Sequence, residues 1–187
     1  MIFAPEGAWL KIAEKNPHFL FVLFVSMLPL LLLSLGAEAY GLMTLGEVMT
    51  EMGRPRIAQE LAIKYAFAHL VLDLAFLIFG SWFLMALAHS FNSPNTYSQA
   101  FSTLAYGASP LFLMHALDAF PVVYTWLAWG IGFGLSIRAL YHGIAVNLKP
   151  EQTKGFGLFI LSIFIVGFLG ALSHYVALAV LHEKLLK

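Results

Sequence analysis

Five ionisable residues stand in stretches that are otherwise almost wholly apolar: His69, Asp73, His115, Asp118 and His174. Spacing pairs most of them. His69 and Asp73 are four residues apart, and His115 and Asp118 are three apart, so each pair shares one face of a helix. Ionisable groups at membrane depth are costly and are functional candidates by default. Neutral imidazoles with one or two carboxylates suit zinc, iron, nickel or copper, and a ligating histidine commonly donates its other ring N–H to a carboxylate. The same groups would serve a proton or ion pathway. Bis-histidine haem ligation would need His69 together with His115 or His174. Against these readings stands plain neutralisation of each histidine by its neighbouring aspartate, with polar residues near headgroups costing little. The leading expectation is therefore no cofactor, with a transition metal such as zinc as the alternative.

A second set lies further along the chain. Arg138 and His142 are four apart, and Lys149, Gln152 and Lys154 follow within one connection. Their functional reading is a patch for an anionic lipid headgroup or a protein partner. The plainer one is interfacial anchoring, with Arg138 snorkelling to the surface. Cysteine is absent, which removes disulfides, thiolate catalysis, Cys-ligated zinc and iron–sulfur clusters. Ten basic and ten acidic residues cancel, so nothing points to nucleic acid. No H-E-x-x-H, P-loop or G-x-G-x-x-G signature occurs, and Gly130-x-Gly132-x-Gly134 lies inside an apolar span rather than after a strand. No enzyme is expected.

The elements that must position these groups follow from composition. Sixty per cent of the residues are hydrophobic and only 11% charged, with a mean hydropathy of +0.83, far from a soluble domain. A helix crossing the hydrocarbon needs about 20 apolar residues. The spans expected are 19–41, 65–88, 100–119, 122–143 and 156–181, forming one domain over 1–187. All should be helices, because backbone polar groups in lipid must be satisfied within the segment, and no alternating pattern of a barrel is present. The fold class expected is all-α: a polytopic membrane protein, a five-helix transmembrane bundle with a short N-terminal interfacial helix. That first helix spans Pro5 to Lys15, with Trp9, Ile12 and Ala13 on one face and Glu6, Lys11 and Glu14 elsewhere. Asn16-Pro17 ends it.

Ala37-Glu38-Ala39 has the look of a signal cleavage site, yet the apolar run before it is longer than a signal core, so it reads as a retained span. The connection from Tyr40 to Lys64 is expected to hold another surface helix, on the spacing of Leu45, Val48, Met49 and Met52. Pro29 and Pro110 are expected to kink their helices. Gly130 and Gly134 are a small-xxx-small pair, read first as internal packing and second as a homodimer face, while Gly167 and Gly170 suit close helix approach. Basic residues divide evenly between the two sides, so charge does not orient the chain.

The chain resembles the Yip (Ypt-interacting-protein) family, in its bacterial inner-membrane branch. The resemblance rests on Phe3-Ala-Pro5 with Trp9-Leu10-Lys11-Ile12, on Leu28-Pro29-Leu30, and on Ala105-Tyr106-Gly-Ala-Ser-Pro110. It rests too on Tyr141-His142-Gly143-Ile144 and on Lys149-Pro150 to Lys154-Gly-Phe156. It implies a multi-pass protein of the cell inner membrane with a cytoplasmic N-terminus and no catalysis. The implied role is a membrane-organising or accessory component that binds lipid or other membrane proteins. The long N-terminal tail of the eukaryotic members is missing, so GTPase binding is not carried over. With the N-terminus inside, His69 would lie roughly 10 Å deep at ~1.5 Å per residue, and His115 and His174 at about 5 Å in the same leaflet. The alternative functions are metal or proton handling by His69, Asp73, His115, Asp118 and His174, or small-solute transport by an oligomer.

Overall fold

A computed structural model describes residues 5–44, 58–120, 123–151 and 153–181, and every regular element among them is helical. Helix α1 covers Pro5–Lys15. It buries Trp9 completely, half-buries Ile12 and Ala13, and exposes Glu6, Lys11 and Glu14, as its pattern predicts. Asn16 ends it in the left-handed region, at φ 41°, a conformation asparagine tolerates better than most residues.

Helix α2 runs over Phe19–Thr44. Its Val22–Met27 segment widens into a π-helix, in which Leu28 N–H bonds the carbonyl of Leu23. Pro29 supplies the reason: in a regular α-helix its ring would strike the carbonyl of Val25 and its missing N–H would leave that carbonyl bare. Helix α3 covers Gln59–Ser90. Both helices extend into the expected Tyr40–Lys64 connection, and the surface helix placed around Leu45 to Met52 falls outside the described residues.

Helix α4, Tyr97–Met114, opens on a full capping box between Thr96 and Gln99 and closes into a 3₁₀ turn over His115–Ala119. Pro110 leaves the carbonyl of Tyr106 without its helical donor, and the hydroxyl of Ser109 donates to it at 2.8 Å. Helix α5, Thr125–Gly143, runs on as a π turn over Ile144–Leu148 and stops at Lys149, which takes a left-handed conformation ahead of Pro150. Helix α6 spans Gly155–Leu181. Residues 121–122, between the third and fourth expected spans, and Gln152 fall outside the described residues.

By length and composition three of the described helices can cross a membrane: Phe19–Thr44, Gln59–Ser90 and Gly155–Val180. They surround α4. Ala100 to Ala105, Gly107, Ala108 and Pro110 to Phe112 are all buried in it, although it is on average less apolar than its neighbours. A helix shielded by other helices has no need of lipid-compatible side chains. The more apolar α2, α3 and α6 instead turn Phe24, Leu33, Phe67, Phe79, Phe164 and Phe168 outwards. Small residues let α4 and α5 approach closely. A Cβ on Gly132 would stand 2.9 Å from the Cα of Leu111, and one on Gly107 would strike Leu140. Gly167 and Gly170 likewise abut Phe133 and Leu111, but Gly130 and Gly134 face open space. The internal-packing expectation thus applies to Gly132 and not to the pair flanking it. They point away because helix neighbours two residues apart lie on different faces.

Buried polar side chains are joined across the bundle. The Asn147 amide donates to the carbonyl of Gln99 at 3.0 Å and to the hydroxyl of Thr103 at 2.9 Å. Ser93 donates to the carbonyl of Leu148, and Ser26 shares a hydrogen bond with Tyr106.

Candidate functional site: a buried histidine and carboxylate cluster

Each sequence-designated histidine reaches the site from a different element. Tyr65, His69 and Asp73 recur every four residues along α3 and are all buried, so the helix period stacks them on one inward face. The 3₁₀ turn after α4 carries His115, and α6 carries Ser173 and His174. One ring nitrogen from each of His69, His115 and His174 lies within 4.8 Å of the other two. The His69 and His115 rings meet edge to face with centroids 4.9 Å apart, and His174 stands 5.8 Å from both. Trp126 of α5 covers His174 at 6.2 Å.

Three carboxylates surround the rings. Asp73 Oδ1 is 3.9 Å from His69 Nε2, and Asp118 Oδ2 is 3.8 Å from His115 Nδ1. The third is Glu38, whose Oε2 lies 3.7 Å from His69 Nδ1. Sequence reasoning took Glu38 only as the middle of the cleavage-like Ala37-Glu38-Ala39 and left it out of the ionisable set, although the expected span 19–41 contains it. The available signal was that nothing breaks a helix between Ala37 and Thr44, and that Leu31, Leu35, Glu38 and Leu42 follow the buried stripe of α2. Two of the carboxylates are held in place. The Tyr65 hydroxyl donates to Glu38 Oε1 at 2.5 Å, and the Ser173 hydroxyl donates to Asp73 Oδ1 at 2.6 Å.

The opposite oxygens, Glu38 Oε2 and Asp73 Oδ2, have no hydrogen-bond partner, and neither do both nitrogens of His69 and of His174. His115 Nδ1 and Asp118 Oδ1 are in the same condition, so eight of the twelve unpartnered buried polar atoms among the described residues belong to this one cluster. Buried polar groups are ordinarily satisfied. Their concentration here marks the site.

The other sequence-designated set is more open. Arg138 and Lys149 are exposed. His142 faces Glu6 of α1 at 3.7 Å, and Lys154 pairs with Glu151 at 3.2 Å. A hydrogen bond from Asn92, with Lys154 beside it, holds the Glu151 carboxyl below its ordinary range. Nearby, Tyr141, Ile144, Pro150, Phe156 and Phe159 line an apolar cleft of about 380 Å³. The other motif residues have packing roles. Trp9 lies edge-on to Tyr106 at 6.4 Å, and a Cβ on Gly143 would stand 2.6 Å from its ring. Gly143 therefore makes room for the residue that docks α1.

Long apolar helices with outward aromatic and aliphatic side chains define the class as a helical membrane protein. A family model for the Yip1 domain matches residues 1–173, and the chain belongs to that family. This is a family of membrane-trafficking and accessory proteins, not known as enzymatic. No curated protein and no solved structure matches the chain.

Proposed function

We propose that the protein is a non-enzymatic, multi-pass component of the cell inner membrane, belonging to the bacterial branch of the Yip type. In this reading it crosses the bilayer five times with its N-terminus in the cytoplasm. It organises or assists its surroundings by contact with lipid and other membrane proteins. The observation that carries the reading is the outward row of large apolar side chains on helices that enclose a less apolar α4. Such an arrangement is stable in hydrocarbon and costly in water. Continuous helical structure over 97–119 and 125–148 supports two further crossings beside the three most apolar helices.

Contact with lipid is assigned to the end bearing Arg138, His142, Lys149 and Lys154, beside the cleft under Tyr141 and Phe156. Arg138 and Lys149 carry most of the attraction, because Glu6 and Glu151 offset the other two groups. Native mass spectrometry of the protein released from membranes containing phosphatidylglycerol tests this. Arg138→Gln with Lys149→Gln should lower the retained anionic lipid several-fold, and Lys154→Gln much less. Equal retention by all three proteins would refute the assignment.

A further inference from the structure

Histidines from three separate elements, converging in an apolar bundle, require a compensating interaction. Three arrangements compete. Neutralisation by neighbouring carboxylates would place hydrogen bonds near 2.8–3.0 Å between the partners. The actual approaches are 3.7, 3.8 and 3.9 Å, and His174 has neither ring nitrogen partnered. A proton wire would join the rings through hydrogen bonds, yet neither nitrogen of His69, the central ring, makes one. A metal ion is the third arrangement, and it engages one nitrogen of each ring at once.

We propose that His69, His115 and His174 hold one divalent transition-metal ion of the zinc class, with Glu38 and Asp73 as its charge-balancing outer partners. Nitrogens bound tetrahedrally at ~2.0–2.1 Å stand roughly 3.3–3.4 Å apart. Nitrogens already within 4.8 Å of one another reach that spacing by side-chain shifts of roughly 1–1.5 Å. Imidazole suits zinc and its neighbours in the first transition row, and the chain has no thiolate to favour a softer ion. Charge supports the same assignment. A doubly charged cation offsets two of the three carboxylates around the rings, which lowers the cost of holding charge in a low-dielectric interior. Tyr65 engages Glu38 Oε1 and leaves Oε2 3.7 Å from His69, while Ser173 engages Asp73 Oδ1, the oxygen that lies 3.9 Å from His69. Orientation of ligand histidines by anchored carboxylates is the usual support of a metal centre.

Cobalt(II) titration of the full chain in detergent, after stripping with a chelator, tests the proposal. Wild type should take up one cobalt per chain with the intense visible bands of a tetrahedral nitrogen site, and zinc should displace it. His69→Ala, His115→Ala and His174→Ala should each abolish those bands. Glu38→Gln and Asp73→Asn should keep the spectrum and weaken binding about 10–100-fold. The proposal is overturned by a wild-type protein that acquires no tetrahedral cobalt spectrum, whatever the folding of the variants. It is equally overturned if any of the three alanine variants, eluting as a single folded species, binds with unchanged stoichiometry and bands.

Discussion

At the scale of single residues, the cluster shows how helix period and tertiary convergence divide the work. The four-residue spacing of Tyr65, His69 and Asp73 aligns them on α3, and the hydroxyls of Tyr65 and Ser173 anchor the carboxylates that face His69. Removing an anchor frees a buried carboxylate to turn away. Tyr65→Phe is expected to weaken cobalt binding about tenfold with the spectrum retained. It should also cost about 1–3 kcal/mol of stability, because Glu38 loses a buried donor. Ser173→Ala should behave alike, while Ser173→Thr keeps the hydroxyl and restores affinity. A titration in which Tyr65→Phe and Ser173→Ala both match wild type would show that neither hydroxyl positions the site. His69, Asp73, His115, Asp118 and His174 were visible as anomalies in apolar runs. Glu38 was hidden, because a lone carboxylate near the end of an expected span, with no ionisable residue three or four positions away, looks like a boundary group rather than a member of a set.

At the scale of elements, the attachment of α1 is the clearest dependence of one segment on another. Trp9 enters a space that exists only because residue 143 lacks a side chain. Gly143→Ala should destabilise the bundle by about 1–3 kcal/mol through overpacking, read as a lower midpoint of thermal unfolding in detergent. Gly130→Ala and Gly134→Ala meet nothing within 4 Å and should leave that midpoint nearly unchanged. Comparable losses at all three positions would contradict the docking of Trp9 as the cause. Asn147→Leu should cost a similar 1–3 kcal/mol, since it strips the Thr103 hydroxyl and Gln99 carbonyl of a buried donor. The amphipathic face of α1 was readable from residue spacing. Its docking partner was not, because Gly143 lies more than a hundred positions away along the chain.

At the scale of the whole molecule, the histidine cluster and the Trp9 contact occupy opposite ends of the bundle. Glu38 lies late in α2, His69 early in α3, and His174 late in α6, whereas α1 meets the far end of α5. Five crossings with the N-terminus inside put Lys11, Asn95 and Lys154 on the cytoplasmic side and Phe120 on the other. The native chain has no cysteine, so a single introduced thiol reports its own position alone. An impermeant maleimide applied to intact cells, with outer-membrane access ensured, should label Phe120→Cys and spare the other three until the membrane is opened. Labelling of Lys154→Cys in sealed cells would reverse the proposed orientation.

The sequence by itself determined the solvent, the helical class and the periodicity that puts His69 and Asp73 on one face. These depend on composition and on neighbours within a turn, both of which are local. Only the tertiary structure decided that α4 is enclosed, that Glu38 joins the cluster, and that histidines from α3, the 3₁₀ turn and α6 meet. Those outcomes depend on which helix faces come together, a choice made by side-chain packing between segments far apart in the chain.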